Sequence, residues 1–249
     1  MYKESFLMAW ASLIANKMRS ILTMLGIIIG VAAVIALVSI GNGVKQDIQN
    51  SISSLGSNLL MVMPGAPRTP GVRPSAGSMK SLKVSDYEAI AKLDGVKAAS
   101  PMTNGSYVVI YQNKNWTTSV SGVSYNYLDV NNWSMKSGRF LSEKNVQNRE
   151  RVAVVGKTVV KNLFGDEDPV GAEIRVKNIP FRIIGVLNSK GSGAMGNDQD
   201  DMVVIPYTTA MERVEGIDYL RMIYVVGKDE NGIDRLQSDI ENLLRVRHG

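Results

Sequence analysis

Residues 21–40 read ILTMLGIIIGVAAVIALVSI and contain no charged residue, no Pro and no Asn. Twenty residues of α-helix are about 30 Å long, which matches the hydrocarbon core of a bilayer. The stretch therefore predicts a transmembrane helix. The alternative is a secretory signal peptide with a weak cleavage site at residues 34–36, but the apolar run exceeds the roughly 7–15 residues usual in such peptides. No later stretch of the sequence reaches about 18 uncharged apolar residues.

Basic residues stand before this stretch. Lys3, Lys17 and Arg19 precede it, whereas Lys45 after it is accompanied by Asp47. Positively charged residues are enriched in the cytoplasmic segments that flank membrane spans. We therefore expect the N-terminus in the cytoplasm and the chain after the span on the extracytoplasmic side.

Residues 1–20 have an amphipathic pattern, with apolar side chains at steps of three or four positions. This pattern predicts a helix that lies in the membrane interface. Trp10 suits the headgroup level, and Lys17 and Arg19 suit its charged boundary, so these three are candidate membrane-interface anchors. Packing of this arm against a soluble cytoplasmic partner is the alternative.

Gly26 and Gly30 form a GxxxG pair within the span. Two glycines on one helix face let the backbone of another helix approach closely, so they are candidates for transmembrane helix packing. Glycine is common in membrane helices, which makes the motif a weak signal by itself. Because no other stretch of this sequence could span a membrane, the partner helix is expected from another chain.

The amino-acid composition argues against several kinds of functional site in this chain. The 249 residues include no Cys and a single His, His248. Disulfide scaffolds, thiolate zinc sites, iron–sulfur ligation, cysteine nucleophiles and His-based triads are therefore not expected. Up to Lys83 there are 8 Lys or Arg and 2 Asp or Glu, against 20 and 21 after it, so the basic excess lies outside the folded body. Binding of nucleic acid is therefore not expected.

Beyond the span, residues 42–55 continue with helical spacing, and residues 58–63 (NLLMVM) are typical of a strand. Residues 64–79 are rich in Pro, Gly and Ser and predict a mobile loop. A capping-box pattern at residues 85–88 predicts the start of a helix that ends at Leu93.

The rest of the sequence predicts an α+β fold. Apolar alternation indicates strands at residues 106–111, 116–123, 151–155, 172–177, 181–187, 202–205 and 220–226. Helical spacing indicates helices at residues 157–164, 207–214 and 229–246. Many short strands interspersed with short helices are typical of a mixed α/β domain.

Two apparent site motifs lack essential residues. Residues 156–158 (GKT) follow a predicted strand like the end of a phosphate-binding loop, but the first Gly of that loop is missing. We therefore expect only a strand-to-helix corner. Asp198, Asp200 and Asp201 imitate a calcium loop without its Gly and Glu. We expect the loop that they form with Gln199 to be solvated or to face a partner. No catalytic constellation can be assembled, so this chain is not expected to be an enzyme.

Several segments together resemble the MacB-type ABC transporter permeases. They are residues 16–31 (NKMRSILTMLGIIIGV), 39–41 (SIG), 64–65 (PG), 138–140 (GRF), 152–156 (VAVVG), 163–165 (LFG), 169–171 (PVG), 181–187 (FRIIGVL), 198–201 (DQDD) and 205–206 (IP). The first three resemble the start of the family, and the others resemble its extracytoplasmic core domain. The ordered series is much more specific than any one of its motifs.

The resemblance implies an interfacial elbow helix at residues 1–20, a transmembrane helix at 21–40 and an extracytoplasmic domain at 41–249. Within that domain it implies a porter-like part formed by residues of about 41–105 and 220–249, with an inserted subdomain at about 106–219. In the family three more transmembrane helices follow, and this sequence does not contain them. Either the chain is a piece of a longer protein, or these helices are supplied elsewhere.

The resemblance also implies a permease subunit that couples ATP hydrolysis to movement of its extracytoplasmic domain, for efflux or extraction of a substrate. ATP and magnesium would bind a separate ABC ATPase subunit, and this chain would hold no cofactor. The implied partners are that ATPase, a second permease copy in a homodimer, membrane lipid and an extracytoplasmic adaptor protein. The implied location is the bacterial inner membrane.

Two other functions remain open from the sequence. A single-span, membrane-anchored extracytoplasmic binding or sensor module would need no transport activity, and the lack of further apolar runs favours it. An extracytoplasmic hydrolase that uses Ser or Asp residues is the third hypothesis, which generic ester and peptide substrates would test.

Overall fold

The computed structural model of the chain describes residue 8 and residues 17–55, 58–65, 80–193, 196–229 and 232–248. The chain divides into two compact units, Met1–Asn50 and Ser51–Gly249. The predicted interfacial helix before residue 17, apart from Met8, and most of the predicted loop at residues 64–79 lie outside the described residues.

Helix α1 spans Lys17–Leu55 and contains 39 residues. Within its segment Lys17–Gly43, the most apolar 18-residue window has a mean hydropathy of 2.9, and no residue of that window is buried. Among the described residues it is the one helix long and apolar enough to cross a membrane, a property that N-terminal signal sequences share. The helix predicted for residues 42–55 is confirmed, because α1 continues through it.

The described part of the second unit contains nine strands and six further helices. The strands are β1 Leu59–Val62, β2 Val96–Tyr111, β3 Lys114–Val123, β4 Met135–Gly138, β5 Val152–Val155, β6 Glu173–Val176, β7 Ile179–Leu187, β8 Met202–Pro206 and β9 Met222–Gly227. The helices are α2 Val84–Ile90, α3 Tyr127–Val130, α4 Glu143–Gln147, α5 Lys157–Leu163, α6 Tyr207–Thr209, which a π-helical segment Ala210–Glu215 continues, and α7 Ile233–His248. The predicted α+β class is confirmed.

One mixed sheet joins these nine strands. Its order is β1-β9-β2-β3-β8-β5-β7-β4, and β6 pairs with β2 and β7 beside this path. The β3–β8 and β5–β7 pairs are parallel, and the other pairs are antiparallel. Strand β2 pairs with β9 along its first half and with β3 along its second half. It therefore runs through the boundary predicted near residue 105 between the porter-like part and the inserted subdomain, and that division stays a prediction.

Strand β2 begins at Val96, well before the start predicted at Ser106. The additional segment contains Pro101 and lacks an alternating pattern, so its own sequence does not indicate a strand. Pairing with β9 holds it in the sheet. Strand β3 pairs with β2 only from Met102 onward, so Pro101 lies where β2 has one sheet neighbour, a position that tolerates Pro.

Three clusters of buried apolar side chains form the core. Cluster 1 draws on β2, β3, β5 to β8, α5 and the π-helical segment. Cluster 2 packs α2 and α7 against β2 and β9, and cluster 3 lies among β3, β5, β7 and β8. Along β7, Phe181 and Ile183 belong to cluster 1 and Ile184 to cluster 3. The sheet is therefore covered on both faces at β7, as apolar packing requires of a central strand.

Helix α2 begins at Val84, so the capping box predicted at residues 85–88 is wrong. Lys83 occupies the N-cap position, and its backbone N–H donates to Oδ2 of Asp86 at 2.8 Å. The helix ends at Ile90, earlier than predicted. The cap differs from the prediction because the Asp86 carboxylate accepts from the backbone of Lys83. The Asp86 side chain is only 3% exposed and is also bound by Arg247, far along the chain.

Replacement of Phe181 by Ala is expected to lower the free energy of unfolding by about 3–5 kcal/mol, because this fully buried ring would leave a cavity in cluster 1. Val108→Ala, at a side chain that is 48% exposed, is the control and should change it by about 0.5 kcal/mol or less. Urea unfolding of the full chain in non-ionic detergent, followed by tryptophan fluorescence, measures both. Equal losses in the two variants would show that cluster 1 is not the core.

Candidate functional site

The residues predicted to act in the membrane lie on α1. Apart from the chain neighbours of each glycine and the adjoining backbone of α1, no atom of the described residues lies within 4 Å of a Cβ built on Gly26 or Gly30. Their face therefore has room for a helix from another chain. The packing role itself stays a prediction. Lys17 and Arg19 are exposed at the N-terminal end of α1, and Trp10 lies outside the described residues.

The acidic loop is built around Asp200, which is 4% exposed. Its carboxylate accepts hydrogen bonds from the backbone N–H groups of Lys190 at 2.7 Å and Gly191 at 3.2 Å and from the hydroxyl of Ser189. Charge-assisted hydrogen bonds of this kind are stronger than neutral ones. Asp200 therefore stabilises the loop from its buried side, and a partner-facing role of the loop that contains it stays a prediction.

The other members of the loop lie nearer to the surface. Asp198 is exposed and accepts from the hydroxyl of Thr158 at 2.6 Å, and Asp201 is half-buried and accepts from the indole N–H of Trp116 at 2.8 Å. Gln199 is also half-buried. A partner-facing role of these three residues stays a prediction.

Gly156 joins the acidic loop to a strand-to-helix corner. Strand β5 ends at Val155 and α5 begins at Lys157, so the predicted corner is confirmed. A Cβ at Gly156 would collide with the carbonyl oxygen of Asp200, which explains the need for Gly here. The backbone N–H of Gly156 donates to the carbonyl oxygen of Met202 at 2.9 Å, so it is already used within the fold and is not directed at a phosphate.

Strand β1 follows α1 in the sequence and pairs with β9 in a register that begins with Leu59 opposite Val226. Asn58, directly before β1, strengthens this pairing. Its backbone carbonyl accepts from the N–H of Gly227 at 2.9 Å, and its side-chain amide donates to the carbonyl of Gly227 at 2.7 Å. The chain that follows α1 is thus bonded to the strand that leads into α7, and we call this pairing the β1–β9 junction.

Helix α7 is fastened to the domain along one face and at its C-terminal end. Leu236 and Ile240 are buried in cluster 2. At the last turn, Nε of Arg247 donates to Oδ1 of Asp86 at 2.7 Å, and Nε2 of His248 lies 3.0 Å from Oδ2 of the same carboxylate. Asp86 therefore joins the N-terminal turn of α2 to the end of α7.

The environment of Asp86 lowers the pKa of its carboxyl group. Burial alone would raise this pKa, but the hydrogen bonds from Arg247, from the backbone of Lys83 and from His248 outweigh it. The charged form is therefore stabilised in the folded state. We call this set of four residues the Asp86 cluster.

Sequence reasoning missed the Asp86 cluster. Asp86 and Arg247 are 161 positions apart, and no local pattern connects them. One available signal was the basic last turn of α7, because cations near a helix C-terminus favour the helix dipole. That signal does not identify the carboxylate that pairs with them. Among the described residues, no group of three or more Asp, Glu or His side chains is placed to hold a metal ion.

Comparison with protein families identifies the domain. A family model described as the MacB-like periplasmic core domain matches residues 20–243. The chain belongs to this family. Membership agrees with the resemblance seen in the sequence, and it accounts for the whole described part of the β-sheet.

Relatives in the MacB-like family match nearly the whole chain. The macrolide export ATP-binding/permease protein MacB of Rhodospirillum rubrum is 45% identical over 250 residues, covering 100% of this chain and 38% of the relative. The MacB of Neisseria meningitidis is 38% identical, again over 100% of this chain and 38% of the relative. The chain therefore spans well under half the length of these curated relatives.

Two solved structures share the fold of this chain. The periplasmic region of MacB from Actinobacillus actinomycetemcomitans matches with a TM-score of 0.67 and 26% identity, covering 80% of this chain and 87% of that one. The extracellular domain of the ABC-type transporter YknZ from Gram-positive bacteria matches with a TM-score of 0.63 and 18% identity, covering 77% and 95%. The second match supports the fold alone.

Replacement of Asp86 by Asn is expected to destabilise the protein by about 1–3 kcal/mol, because Arg247 loses its charged acceptor. The pKa of Asp86 is lowered by folding, so its contribution is present above the unfolded-state value of about 3.9 and is lost as the pH falls below it. The unfolding midpoint of the wild type should therefore fall more steeply below about pH 4 than that of Asp86→Asn. Thermal unfolding at pH 7 and pH 3 measures this difference.

The matched control for this prediction is Asp94→Asn. Asp94 also pairs with a basic residue, Lys228 at 3.1 Å, but its side chain is fully exposed. Exposed ion pairs contribute little to stability, so the control should leave the midpoint near that of the wild type. A loss as large as that of Asp86→Asn would contradict a special role of the Asp86 cluster.

Proposed function

We propose that this chain is the membrane-anchored periplasmic part of the permease of a MacB-type ABC transporter, in the bacterial inner membrane with its N-terminus in the cytoplasm. The observation that carries the proposal is α1, whose apolar segment Lys17–Gly43 continues as helix to Leu55, within a chain that belongs to the MacB-like family. A helix of 39 residues is about 58 Å long, well beyond the thickness of the hydrocarbon core. It therefore suits transmission of movement between the membrane and the periplasmic domain.

The β1–β9 junction supports the mechanical part of this proposal. Movement of α1 would reach β1 first, since only Gly56, Ser57 and Asn58 separate the two elements. The paired backbone hydrogen bonds and the two bonds between Asn58 and Gly227 would pass it to β9 and α7. ATP hydrolysis would thereby drive efflux or extraction of a substrate, and export of macrolides is the first activity to assay, because the relatives are named for it.

The partners follow from the same proposal. ATP and magnesium bind a separate ABC ATPase subunit, while this chain holds no cofactor and performs no catalysis. A second copy of the permease packs against α1 through Gly26 and Gly30. An extracytoplasmic adaptor protein contacts the exposed side of the acidic loop at Asp198, Gln199 and Asp201.

Purification of the full-length gene product from its native membrane tests the proposal. Mild detergent extraction followed by mass spectrometry should recover a separate ABC ATPase subunit. An ATPase domain in the same polypeptide would support the transporter but contradict the separate subunit. The absence of any ABC ATPase, together with a product that has a single span, would contradict the transporter and favour a membrane-anchored binding or sensor module.

Replacement of Gly43 by Pro tests transmission through α1. Pro in a helix interior removes a backbone hydrogen bond and kinks the helix, at a cost of about 3 kcal/mol. We expect export and substrate-stimulated ATP hydrolysis to fall at least fivefold while expression is unchanged. Gly43→Ala is the matched control, because Ala favours the helix and should retain full activity. Full activity of Gly43→Pro would show that helix continuity is not needed.

Replacement of both Gly26 and Gly30 by Leu tests packing of the span. Bulky side chains would separate the helix backbones, so association of two copies in a bilayer should weaken at least tenfold. Energy transfer between fluorophores on single engineered cysteines measures association, since the chain has no native Cys. Ala32→Leu is the control, because residue 32 lies on the opposite side of the helix from residue 30. Unchanged association in the double variant would contradict the packing role.

A further inference from the structure

A basic cleft opens on the sheet near the start of β5. The volume of this open cleft is about 980 Å³, which lies within the range of about 300–1,000 Å³ usual for small-molecule sites. Its lining residues come from four places in the chain: the end of β4, the approach to β5, the approach to β6, and β7. They are Gly138, Arg139, Arg149, Glu150, Arg151, Val152, Val170, Gly171, Glu173, Pro180, Arg182, Ile183 and Ile184.

The cleft forms where β7 changes neighbours along one edge. Its first residues pair with β6, and its last residues pair with β4. Between them, the backbone N–H of Gly171 donates to the carbonyl of Ile183 at 2.8 Å, and that of Arg139 donates to the carbonyl of Ile184 at 2.9 Å. The segment that leads into β6 and the segment that follows β4 approach β7 from different directions at this point, and a depression lies between them.

Charge in the cleft is unequal. Four arginines line it, Arg139, Arg149, Arg151 and Arg182, against two glutamates. On β7 the exposed Arg182 stands between the buried Phe181 and Ile183, so its side chain leaves the sheet on the face opposite to cluster 1. The residues of this cleft therefore concentrate positive charge in a domain whose charges nearly balance.

Among the described residues, three of these four arginines have no carboxylate partner. Arg149 is bound to Glu212 at 2.8 Å, and Arg139 donates only to the side-chain oxygen of Asn145 at 3.2 Å. Within residues 80–193 and 196–229, no carboxylate oxygen lies within 4.0 Å of the guanidinium groups of Arg139, Arg151 or Arg182.

The two glutamates lower the net charge of the lining to +2, but neither forms an ion pair with Arg139, Arg151 or Arg182. Glu150 is occupied by amide donors, accepting from Asn145 at 2.6 Å and from Asn148 at 3.5 Å. Glu173 lies opposite Arg182 in the β6–β7 register, but without an ion pair to it within 4.0 Å. The lining therefore keeps a net positive charge, and three of its arginines remain available to bind an anion.

We propose that this basic cleft binds a ligand that carries a phosphomonoester or diphosphate group. Guanidinium groups match the geometry of phosphate oxygens and bind them with paired hydrogen bonds. A phosphomonoester carries about −1.5 to −2 charges at pH 7, which fits several unpaired arginines better than a single carboxylate does. The apolar side chains of Val152, Val170, Pro180 and Ile184 line the same cleft and offer contact to the uncharged part of the ligand. This site does not depend on the transport function proposed above.

Isothermal titration calorimetry on the full chain in non-ionic detergent tests the proposal. Inorganic pyrophosphate is the soluble probe, and a short-chain phosphatidic acid below its micellar concentration represents a lipid headgroup. Ionic strength is held constant, because charge-driven binding weakens with salt. We expect saturable binding at one site. Binding of both probes identifies a soluble phosphate ligand as sufficient, whereas binding of the lipid alone identifies a lipid headgroup.

Three variants determine whether the binding belongs to the cleft. The double variant R151Q/R182Q should bind the probe at least tenfold more weakly. The double variant R235Q/R245Q removes the same charge from exposed positions on α7 and should stay within twofold of the wild type. E173Q removes a negative charge beside Arg182 and should bind at least twofold more tightly. Circular dichroism confirms folding, and R139Q replaces the first double variant if that variant unfolds.

Three results would overturn the proposal. The first is no saturable binding of either probe. The second is an equal loss of affinity in R151Q/R182Q and R235Q/R245Q, which would show attraction by net charge alone. The third is tighter binding of citrate than of pyrophosphate, which would assign the cleft to carboxylates.

Discussion

The β1–β9 pairing is the contact on which the arrangement of the second unit, Ser51–Gly249, depends. It joins the chain that leaves α1 to a strand near the end of the domain, so two distant parts of the sequence meet at one edge of the sheet. Asn58 fixes this edge through both its backbone and its side chain. Without it β1 would be a four-residue strand with little of its own to hold it.

From that edge the sheet is organised by β2 and stabilised by long-range contacts. β2 pairs with β9 at one end and with β3 at the other, so strands from both ends of the domain share one sheet. Cluster 2 then buries α7 against this sheet, and the Asp86 cluster fastens its last turn. The β2–β9 pairing and the contact between Asp86 and Arg247 each join segments that are more than a hundred residues apart.

Buried carboxylates fix the positions of loops and helix ends in the second unit. The Asp200 side chain accepts hydrogen bonds from the backbone of Lys190 and Gly191. The backbone carbonyl of Asp200 lies so close to Gly156 that no side chain fits there. Asp86 acts similarly between α2 and α7. By contrast, Arg139, Arg151 and Arg182 line an open depression and have no carboxylate partner among the described residues. The carboxylates of Asp200 and Asp86 bind groups of the folded domain. The arginines of the basic cleft are instead the proposed ligand-binding groups.

The sequence by itself determined the long apolar helix, its extension to Leu55, the α+β class and the positions of most strands, because hydrophobic periodicity and the length of an apolar run are local properties. Only the tertiary structure decided the start of β2, the true cap of α2 and the partners of Asp86. These depend on pairing and burial between remote segments, which local patterns do not encode. The basic cleft belongs to the same class, since its arginines converge only when β4, β5, β6 and β7 meet.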